Sequence, residues 1–499
     1  MVLGRVCLWF AFALVAASAW GQPADIATAG SLEERVKKLE ERINQLEQAL
    51  ASAQKNAVPA MAIATPRNGA SEDKGEFEKA VLLKLTKFDA LDQQVRVLTR
   101  LRELDVETAA VREKETPKTL TGGDGFGFKS AEGDFQLNTG GYLQADGRAY
   151  TAGEAGQVNT FLLRRVRPVL QGTLYKFVNF RVMPDFGQGK AVLQDAYLEL
   201  NYFPNVAIRA GKFKPPLGLE RLQSATDLRF IERGLPTGLV PNRDVGVQVG
   251  GDLTKSRLSY ALGIFNGTPD GASVDAASSN GKDFVARLFG TPFPAVGRFG
   301  FLNGLGAGFA VSAGTQQGAL PTFATSAQST FFTYANGATA SGGRRRYSPQ
   351  AFYYRGPFGL LAEFVRSSQM VAKSGAKHYV SNYSWQMAGS YLLTREKESF
   401  KRLSPMRDFD VGRHTWGAWE LVARIGQLNV DPSAFALSLA DPTKSARRAR
   451  AWAAGVNWYL NRNVKIGLDY ERTSFAGGAA GGGDRDSEGA VLSRFQLGF

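Results

Sequence analysis

Apolar and polar residues alternate along most of the chain from about residue 134 to its end. In the last segment, Phe495, Leu497 and Phe499 share one parity, and Arg494 and Gln496 take the other. Successive side chains of a strand point to opposite faces, so this segment predicts a strand with one apolar and one polar face. Ending on an aromatic residue inside such a strand is typical of a bacterial outer-membrane barrel, whose last strand pairs with its first. The alternative is the C-terminal strand of a soluble sheet.

Repetition of this pattern favours the barrel. Roughly sixteen segments alternate, and their second face is built from Gly, Ser, Gln, Arg and Glu, with aromatic residues near the segment ends. A soluble sandwich would also alternate, but it would not be expected to keep so polar a second face. We therefore predict an all-β transmembrane barrel of about 16 antiparallel strands over residues 134–499, preceded by an N-terminal α-helical coiled-coil segment.

Short turns and long polar segments alternate between the predicted strands. Phe203-Pro204-Asn205 and Gly356-Pro357 are tight turns. The segments predicted as long loops are 214–244, 266–281, 313–348, 394–413 and 475–488. This asymmetry is typical of barrels with periplasmic turns and extracellular loops, and an even strand number leaves both chain ends on the periplasmic side.

The N-terminal region has another organisation. Residues 1–19 have the charged start, the short apolar stretch and the small-residue cleavage site of a signal peptide, which predicts export. Residues 31–50 carry apolar residues at heptad spacing and predict a coiled coil, with an amphipathic helix packed on its own domain as the alternative. Residues 51–75 form a linker rich in Ala and Pro, and 76–115 form a second helical segment that ends before Pro117.

Composition narrows the chemistry. The single cysteine, Cys7, lies inside the predicted signal peptide, and the chain has 2 histidines, so we expect no metal site, no cofactor and no thiol or serine-triad catalysis. Acidic pairs that could act on glycosides remain an alternative, but no spacing supports them. We expect that the protein is not an enzyme. Residues 1–120 have no net charge, so the net charge of +14 lies entirely in residues 121–499. A basic exported protein is expected to bind anionic lipid or anionic solutes, and no nucleic acid.

Arginines on predicted strands are the first candidates for an anion pathway. Arg165 and Arg167 share the inner parity of one strand, and Arg181 and Arg209 take it on later strands. Arg164 has the outer parity, so we expect it at a rim or beside a bulge. Charged residues that line a lumen confer anion selectivity, although ion pairing with neighbouring carboxylates in the wall is an equal alternative for each arginine.

Two lysines extend this set. Lys212 and Lys214 precede Pro215-Pro216 at the start of the 214–244 loop, which would place ammonium groups at a constriction if the loop folds inward. An ordinary extracellular loop is the alternative. The arginines of 344–346, predicted in a long loop, and of 447–450, near a strand start, are candidates for lipopolysaccharide phosphates, for funnelling anions or for a solvated rim.

Several of these motifs together resemble the phosphate-selective porin O and P family. The resemblance rests on the runs 163–167, 180–182, 195–200 and 210–220, and it covers residues 135–270 well. It implies a homotrimer of sixteen-stranded barrels in the bacterial outer membrane. It also implies passage of inorganic phosphate or polyphosphate through a lysine constriction fed by arginines, with Arg165 and Arg167 on the arginine-rich strand. The N-terminal helices depart from the family's pattern.

Two functions follow as hypotheses. The first is an outer-membrane porin giving passive, anion-selective diffusion through a basic lumen. The second is a structural or tethering protein whose barrel mainly anchors a periplasmic coiled coil.

Overall fold

The computed structural model describes residues 73–122, 125–153, 157–253, 257–277, 279–293 and 300–499, with six isolated helical positions between 41 and 52. The chain forms two compact units, Met1–Thr116 and Pro117–Phe499. The predicted signal peptide lies outside the described residues. So do the predicted coiled coil and the predicted linker as far as residue 72, apart from those six positions.

Helix α1 (Asp73–Glu115) is the described element of the first unit. Its outer surface carries ion pairs one turn apart, such as Arg96–Asp92 at 2.8 Å and Arg100–Glu103 at 2.9 Å, which support a solvated helix only weakly. Among the described residues, no helix combines the length and the apolar character needed to cross a membrane.

The second unit is a closed antiparallel barrel of sixteen strands, which confirms the predicted strand count. A hairpin of two short strands, β1 (Lys118–Gly122) and β2 (Gly125–Lys129), precedes it. The barrel strands are β3 (Phe135–Ala152), β4 (Thr160–Leu174), β5 (Val178–Asp185), β6 (Val192–Phe203), β7 (Val206–Phe213), β8 (Asp244–Leu253), β9 (Leu258–Phe265), β10 (Asp283–Gly290), β11 (Leu305–Gly318), β14 (Thr339–Arg355), β15 (Phe358–Lys373), β16 (Ala376–Leu392), β17 (Ala418–Asn429), β18 (Ala446–Tyr459), β19 (Val464–Gly477) and β20 (Glu488–Gly498). Between β11 and β14, a small separate ladder is formed by β12 (Phe323–Ala324) and β13 (Thr330–Phe332).

The last strand closes the ring on the first. β20 pairs with β3 from Gly489 to Gly498, and the backbone of Phe499 exchanges both hydrogen bonds with Gly141. Strand β2 then continues along the same edge of β3, and the Phe126 ring meets the Phe499 ring edge-on at 6.3 Å. Phe499 thus extends the seam between β20 and β3.

Each strand separates two environments. On β19, Leu468 points outward and is 48% exposed, whereas its neighbour Asp469 points inward and is 2% exposed. The expected irregularity at Arg164 is present, because Gln144 pairs with Arg165 while Ala145 pairs with Leu163, which leaves Arg164 as the extra residue of a bulge.

The two ends of the barrel differ. We call the end at which β3 begins and β20 ends the near rim, and the opposite end the far rim. Most near-rim connections are tight, as at 175–177, 204–205, 356–357 and 460–463, whereas far-rim connections such as 214–243, 319–338, 430–445 and 478–487 are longer.

One loop prediction was wrong in its bounds. The segment 313–348 contains the end of β11 and the start of β14, so Arg344, Arg345 and Arg346 lie in a strand. Three consecutive arginines predicted a loop because they are polar. In the structure, Arg344 and Arg346 face inward, where Asp283 binds both and Asp270 also binds Arg346. The predicted loop 394–413 is confirmed as part of the connection 393–417. It lies at the near rim among the tight turns, however, and the two-residue turn 374–375 lies at the far rim, so the short-turn and long-loop pattern has exceptions at both ends.

Candidate functional site

Loop 214–243 leaves β7 at the far rim and folds into the barrel. Pro215 and Pro216 stiffen its start, and Gly218 adopts φ +78°, a conformation that suits glycine and redirects the chain. Strand β17 lies eight strands from β7 in the ring of sixteen, yet its Arg424 donates to the backbone oxygen of Glu232 at 2.9 Å. The loop therefore crosses the bore to the opposite wall.

Carboxylates on the wall hold the backbone of this loop. Glu363 on β15 accepts from the Leu219 N–H at 2.6 Å, and Asp469 on β19 accepts from the Ile231 N–H at 2.7 Å. On β19, Lys465 also donates to a loop carbonyl. Buried polar groups need such partners, so attachment of loop 214–243 explains the inward-facing Glu363, Lys465 and Asp469.

A second attachment is an ion-pair network around Glu232. Its carboxylate lies 2.6 Å from Arg164 Nε, 3.2 Å from Arg165 and 3.1 Å from Arg494, and Arg494 also binds Asp146 at 2.7 Å. Burial alone would raise the pKa of Glu232, but the three guanidinium groups hold it well below its usual range. This network joins the loop to β3, β4 and β20.

Apolar packing fills another part of the bore. Phe323, Phe331 and Phe332 of loop 319–338 are at most 1% exposed and pack in one cluster with inward-facing residues such as Phe213 and Val365. The interior is therefore divided between a dry apolar cluster and polar regions. The sequence pattern, in contrast, predicted a basic lumen along the whole barrel.

A polar cavity of about 230 Å³ lies between β5, β6, β7 and loop 214–243. Four cationic side chains line it, namely Arg181, Arg209, Lys214 and Arg243, together with the carboxylate of Asp195. Strand alternation brings Arg181 and Arg209 to this face, and the fold of the loop brings the other two cations. The cavity therefore has more cationic than anionic groups in its wall.

The two strand arginines remain partly accessible. The side chain of Arg181 is 28% exposed and lies 3.5 Å from Asp195, and that of Arg209 is 30% exposed and donates to Glu199 at 2.7 Å. The Arg209 guanidinium also lies 4.5 Å above the centre of the Tyr197 ring. Aromatic stacking of this kind orders a guanidinium without neutralising it.

Lys214 has neutral partners. Its ammonium donates to the carbonyl oxygens of Gln223, at 2.6 Å, and Leu222, at 3.3 Å, and in the described part of the chain no carboxylate forms an ion pair with it. Burial, followed by repulsion from Arg243 and Arg233, lowers the pKa of Lys214 well below its ordinary value.

Two further loop cations bind neutral oxygens. Arg221 donates to Asn242 and to the Thr237 carbonyl, and Arg233 donates to the Gln223 carbonyl at 2.6 Å. Burial and repulsion from Arg221 lower the pKa of Arg233 to about 9. The part of loop 214–243 beside the cavity is thus a concentration of positive charge held by backbone carbonyls.

The structure brings together three of the six residues proposed from the sequence, Arg181, Arg209 and Lys214. Arg165 and Arg167 face inward as expected but are paired, Arg165 with Glu232 and Arg167 with Asp185 at 2.7 Å. Lys212 shares the outward strand face of Ile208 and Ala210, pairs with Asp275 and does not line the cavity.

Sequence reasoning missed Arg243. It lies at the end of the loop, just before β8, and its Nε binds Asp195 Oδ1 at 3.1 Å. Strand parity assigns no direction to a loop residue, so alternation could not have found it. Within the described ranges, no group of three His, Cys, Asp or Glu side chains could hold a metal ion.

The sequence model of the phosphate-selective porin O and P family matches residues 137–499. The chain belongs to this family. A similar curated protein is Porin O of Pseudomonas aeruginosa, 24% identical over 411 residues that cover 75% of this chain and 91% of the relative. The barrel also resembles the crystal structure of the outer membrane channel DcaP of Acinetobacter baumannii, with a TM-score of 0.50 and 12% identity over 75% of this chain and 99% of that one. The protein is an outer-membrane porin, and the near rim, with its short turns, corresponds to the periplasmic end.

Proposed function

We propose that this porin gives passive, anion-selective diffusion and that the basic cavity beside loop 214–243 is the part of the pathway that selects for anions. The observation that carries the proposal is the convergence of Arg181, Arg209, Lys214 and Arg243 around one cavity with Asp195. Asp195 is shared between Arg181 and Arg243, so it neutralises at most one of them. The excess positive charge attracts anions and repels cations.

The chemistry of the lining suits an oxyanion that must also leave. The guanidinium groups present directed donors, and the Lys214 ammonium is a compact charge that binds through fewer fixed contacts. Conduction requires binding that is favourable enough for entry and weak enough for release. The family's name points to phosphate, and we adopt inorganic phosphate or a similar small anion as the proposed solute.

Arg165 and Arg167 have a different part in this proposal. Their charges are shared with Glu232 and Asp185, so they act on the pathway by fixing loop 214–243 and the neighbouring wall. Lys212 lies on the outward face of β7. In this proposal it stabilises the wall beside the cavity through its ion pair with Asp275 and does not contact the solute. Assembly as a homotrimer, which the family resemblance implies, belongs to the same proposal.

Inhibition of chloride current by phosphate tests the solute. The purified full-length protein is inserted in planar bilayers in KCl, and inorganic phosphate is added stepwise. We expect phosphate to reduce the chloride current of the unaltered protein and to have a much weaker effect on Lys214→Gln. Lys377→Gln, which removes an exposed lysine from β16, is the matched control and should behave like the unaltered protein.

The tethering hypothesis remains the second candidate because loop 214–243 and the cluster around Phe332 fill much of the bore. A barrel that serves mainly as an anchor would insert into bilayers without a measurable current. Insertion without conductance would therefore favour the anchor, whereas a current that phosphate does not affect would retain the channel and reject phosphate as the solute.

A further inference from the structure

A second basic region lies on the outside of the barrel, away from the cavity. Strands β18 and β19 carry Arg448, Arg450 and Arg472 near the far rim, and all three side chains are exposed. We call these three residues the outer arginine patch. The residues that alternate with them, such as Ala449 and Ala451, face the interior and are buried. The patch therefore cannot contribute to the bore.

The strand register brings the three side chains close together. Arg448 and Arg450 are two residues apart on one face of β18, and Arg450 pairs with Ser474 while Trp452 pairs with Arg472. Arg472 is thus the diagonal neighbour of Arg450, and the Cα atoms of such neighbours lie roughly 7–8 Å apart. In the portion of the chain that the structure covers, none of the three guanidinium groups forms an ion pair with a carboxylate.

The aromatic residues fix the depth of the patch in the membrane. The exposed Trp452 contacts Tyr470 with ring centres 5.5 Å apart, and at the near-rim end of the same strand Trp458 stacks on Trp419 at 5.1 Å. The outward residues between the two tryptophans of β18 are Ala454 and Val456. Aromatic girdles flank the apolar band of a membrane barrel, so Arg450 lies one step beyond the band, at the level of lipid headgroups.

We propose that the outer arginine patch binds a phosphorylated lipid headgroup of the outer leaflet. Arginine is suited to this ligand because its planar fork binds phosphate oxygens in pairs of charge-assisted hydrogen bonds. Trp452 beside the patch offers an apolar surface to the adjoining acyl chains. A lipid is favoured over a free solute because the guanidinium groups stand directly above the apolar band.

Lipid retention tests the proposal. The full-length protein is placed in nanodiscs of phosphatidylcholine containing bisphosphorylated lipid A, extracted in mild detergent, and the lipid A that remains bound is counted by mass spectrometry. We expect the triple variant R448Q/R450Q/R472Q to lose affinity by about tenfold or more, since each surface arginine contributes separately to anionic lipid binding. Monophosphorylated lipid A should bind the unaltered protein more weakly.

Two variants control for fold and charge. R448K/R450K/R472K keeps the charge and should retain much of the binding, which separates loss of the site from misfolding. K401Q/R407Q/R413Q removes three exposed charges from the near rim and should bind lipid A like the unaltered protein.

Three outcomes would overturn the proposal. The first is equal retention by R448Q/R450Q/R472Q and the near-rim control. The second is displacement of lipid A by millimolar inorganic phosphate, which would make the patch a site for solutes. The third is a smaller assembly of R448Q/R450Q/R472Q in size-exclusion chromatography, which would identify the patch as a contact between copies of the chain.

Discussion

Two pairs of inward-facing arginines on neighbouring strands differ in their partners. Arg165 and Arg167 on β4 are at most 7% exposed and are bound by buried carboxylates, whereas Arg181 on β5 and Arg209 on β7 remain about 30% exposed and border a cavity. All four have the same strand parity. The comparison teaches that parity determines only which side of the wall a charge faces. Whether the charge is neutralised depends on the carboxylate beside it, which is Glu232 of loop 214–243 for Arg165 and Asp185 of β5 for Arg167.

Loss of Glu232 should give the largest effect. Glu232→Gln leaves Arg164, Arg165 and Arg494 buried around a neutral side chain, so we expect a loss of about 3–5 kcal/mol in the free energy of unfolding, as for a broken buried ion pair. Denaturant unfolding measures the change. Glu103→Gln, which removes an exposed carboxylate from α1, should cost less than about 1 kcal/mol. Equal free energies of unfolding for the two variants would show that the ion-pair network does not anchor the loop.

Loss of Lys214 should mainly change selectivity. Lys214→Gln removes a cavity charge that is held by carbonyl groups, so we expect the ratio of anion to cation permeability to fall roughly severalfold. The zero-current potential in a KCl gradient measures this ratio. Lys214→Arg keeps the charge and should retain the selectivity; an unaltered ratio in Lys214→Gln would place the selective region elsewhere.

Substitutions in the two arginine pairs sharpen the comparison. Arg181→Gln should lower the permeability ratio about twofold or more, because it removes a charge at the cavity. Arg167→Gln should leave the ratio unchanged but lower stability by about 1–3 kcal/mol, because the carboxylate of Asp185 and the hydroxyl of Tyr142 lose their buried partner. Both variants are measured by zero-current potential and by denaturant unfolding. A lower permeability ratio in Arg167→Gln with an unchanged ratio in Arg181→Gln would show that the β4 arginines, and not those at the cavity, select for anions.

The smallest expected effect is a dependence on pH. Burial and the nearby Arg243 lower the pKa of Lys214, so its ammonium loses the proton at a lower pH than an ordinary lysine. Anion selectivity should therefore decline as the pH is raised from neutral, and it should decline less in Lys214→Arg, whose guanidinium stays charged. A flat profile in the unaltered protein would show that Lys214 does not titrate over that range and would contradict this prediction.

Strand alternation predicted the barrel well. The segment ending in Phe499 closes the ring, and the bulge at Arg164 follows from its conflict with the parity of Arg165. Alternation failed where inward polar residues have partners far away in sequence. Arg344 and Arg346 were predicted in a loop because nothing near them indicates that Asp270 and Asp283 bind them.

The candidate site was predictable only in part. Arg181 and Arg209 could be assigned to the interior because a strand has a period of two, and Lys214 because it enters a long loop that begins with two prolines. The placement of Arg243 and the neutralisation of Arg165 by Glu232 depend on the path of loop 214–243 across the bore. That path is determined by contacts with β15, β17, β19 and β20, which no local pattern encodes.

The zero-current potential of the unaltered protein tests the central claim most directly. A planar bilayer containing the full-length protein separates two KCl solutions of different concentration. The cationic side chains around the cavity predict that chloride crosses faster than potassium. The zero-current potential should therefore have the sign of an anion-selective channel. A potential of the opposite sign, or insertion with no current, would contradict the account.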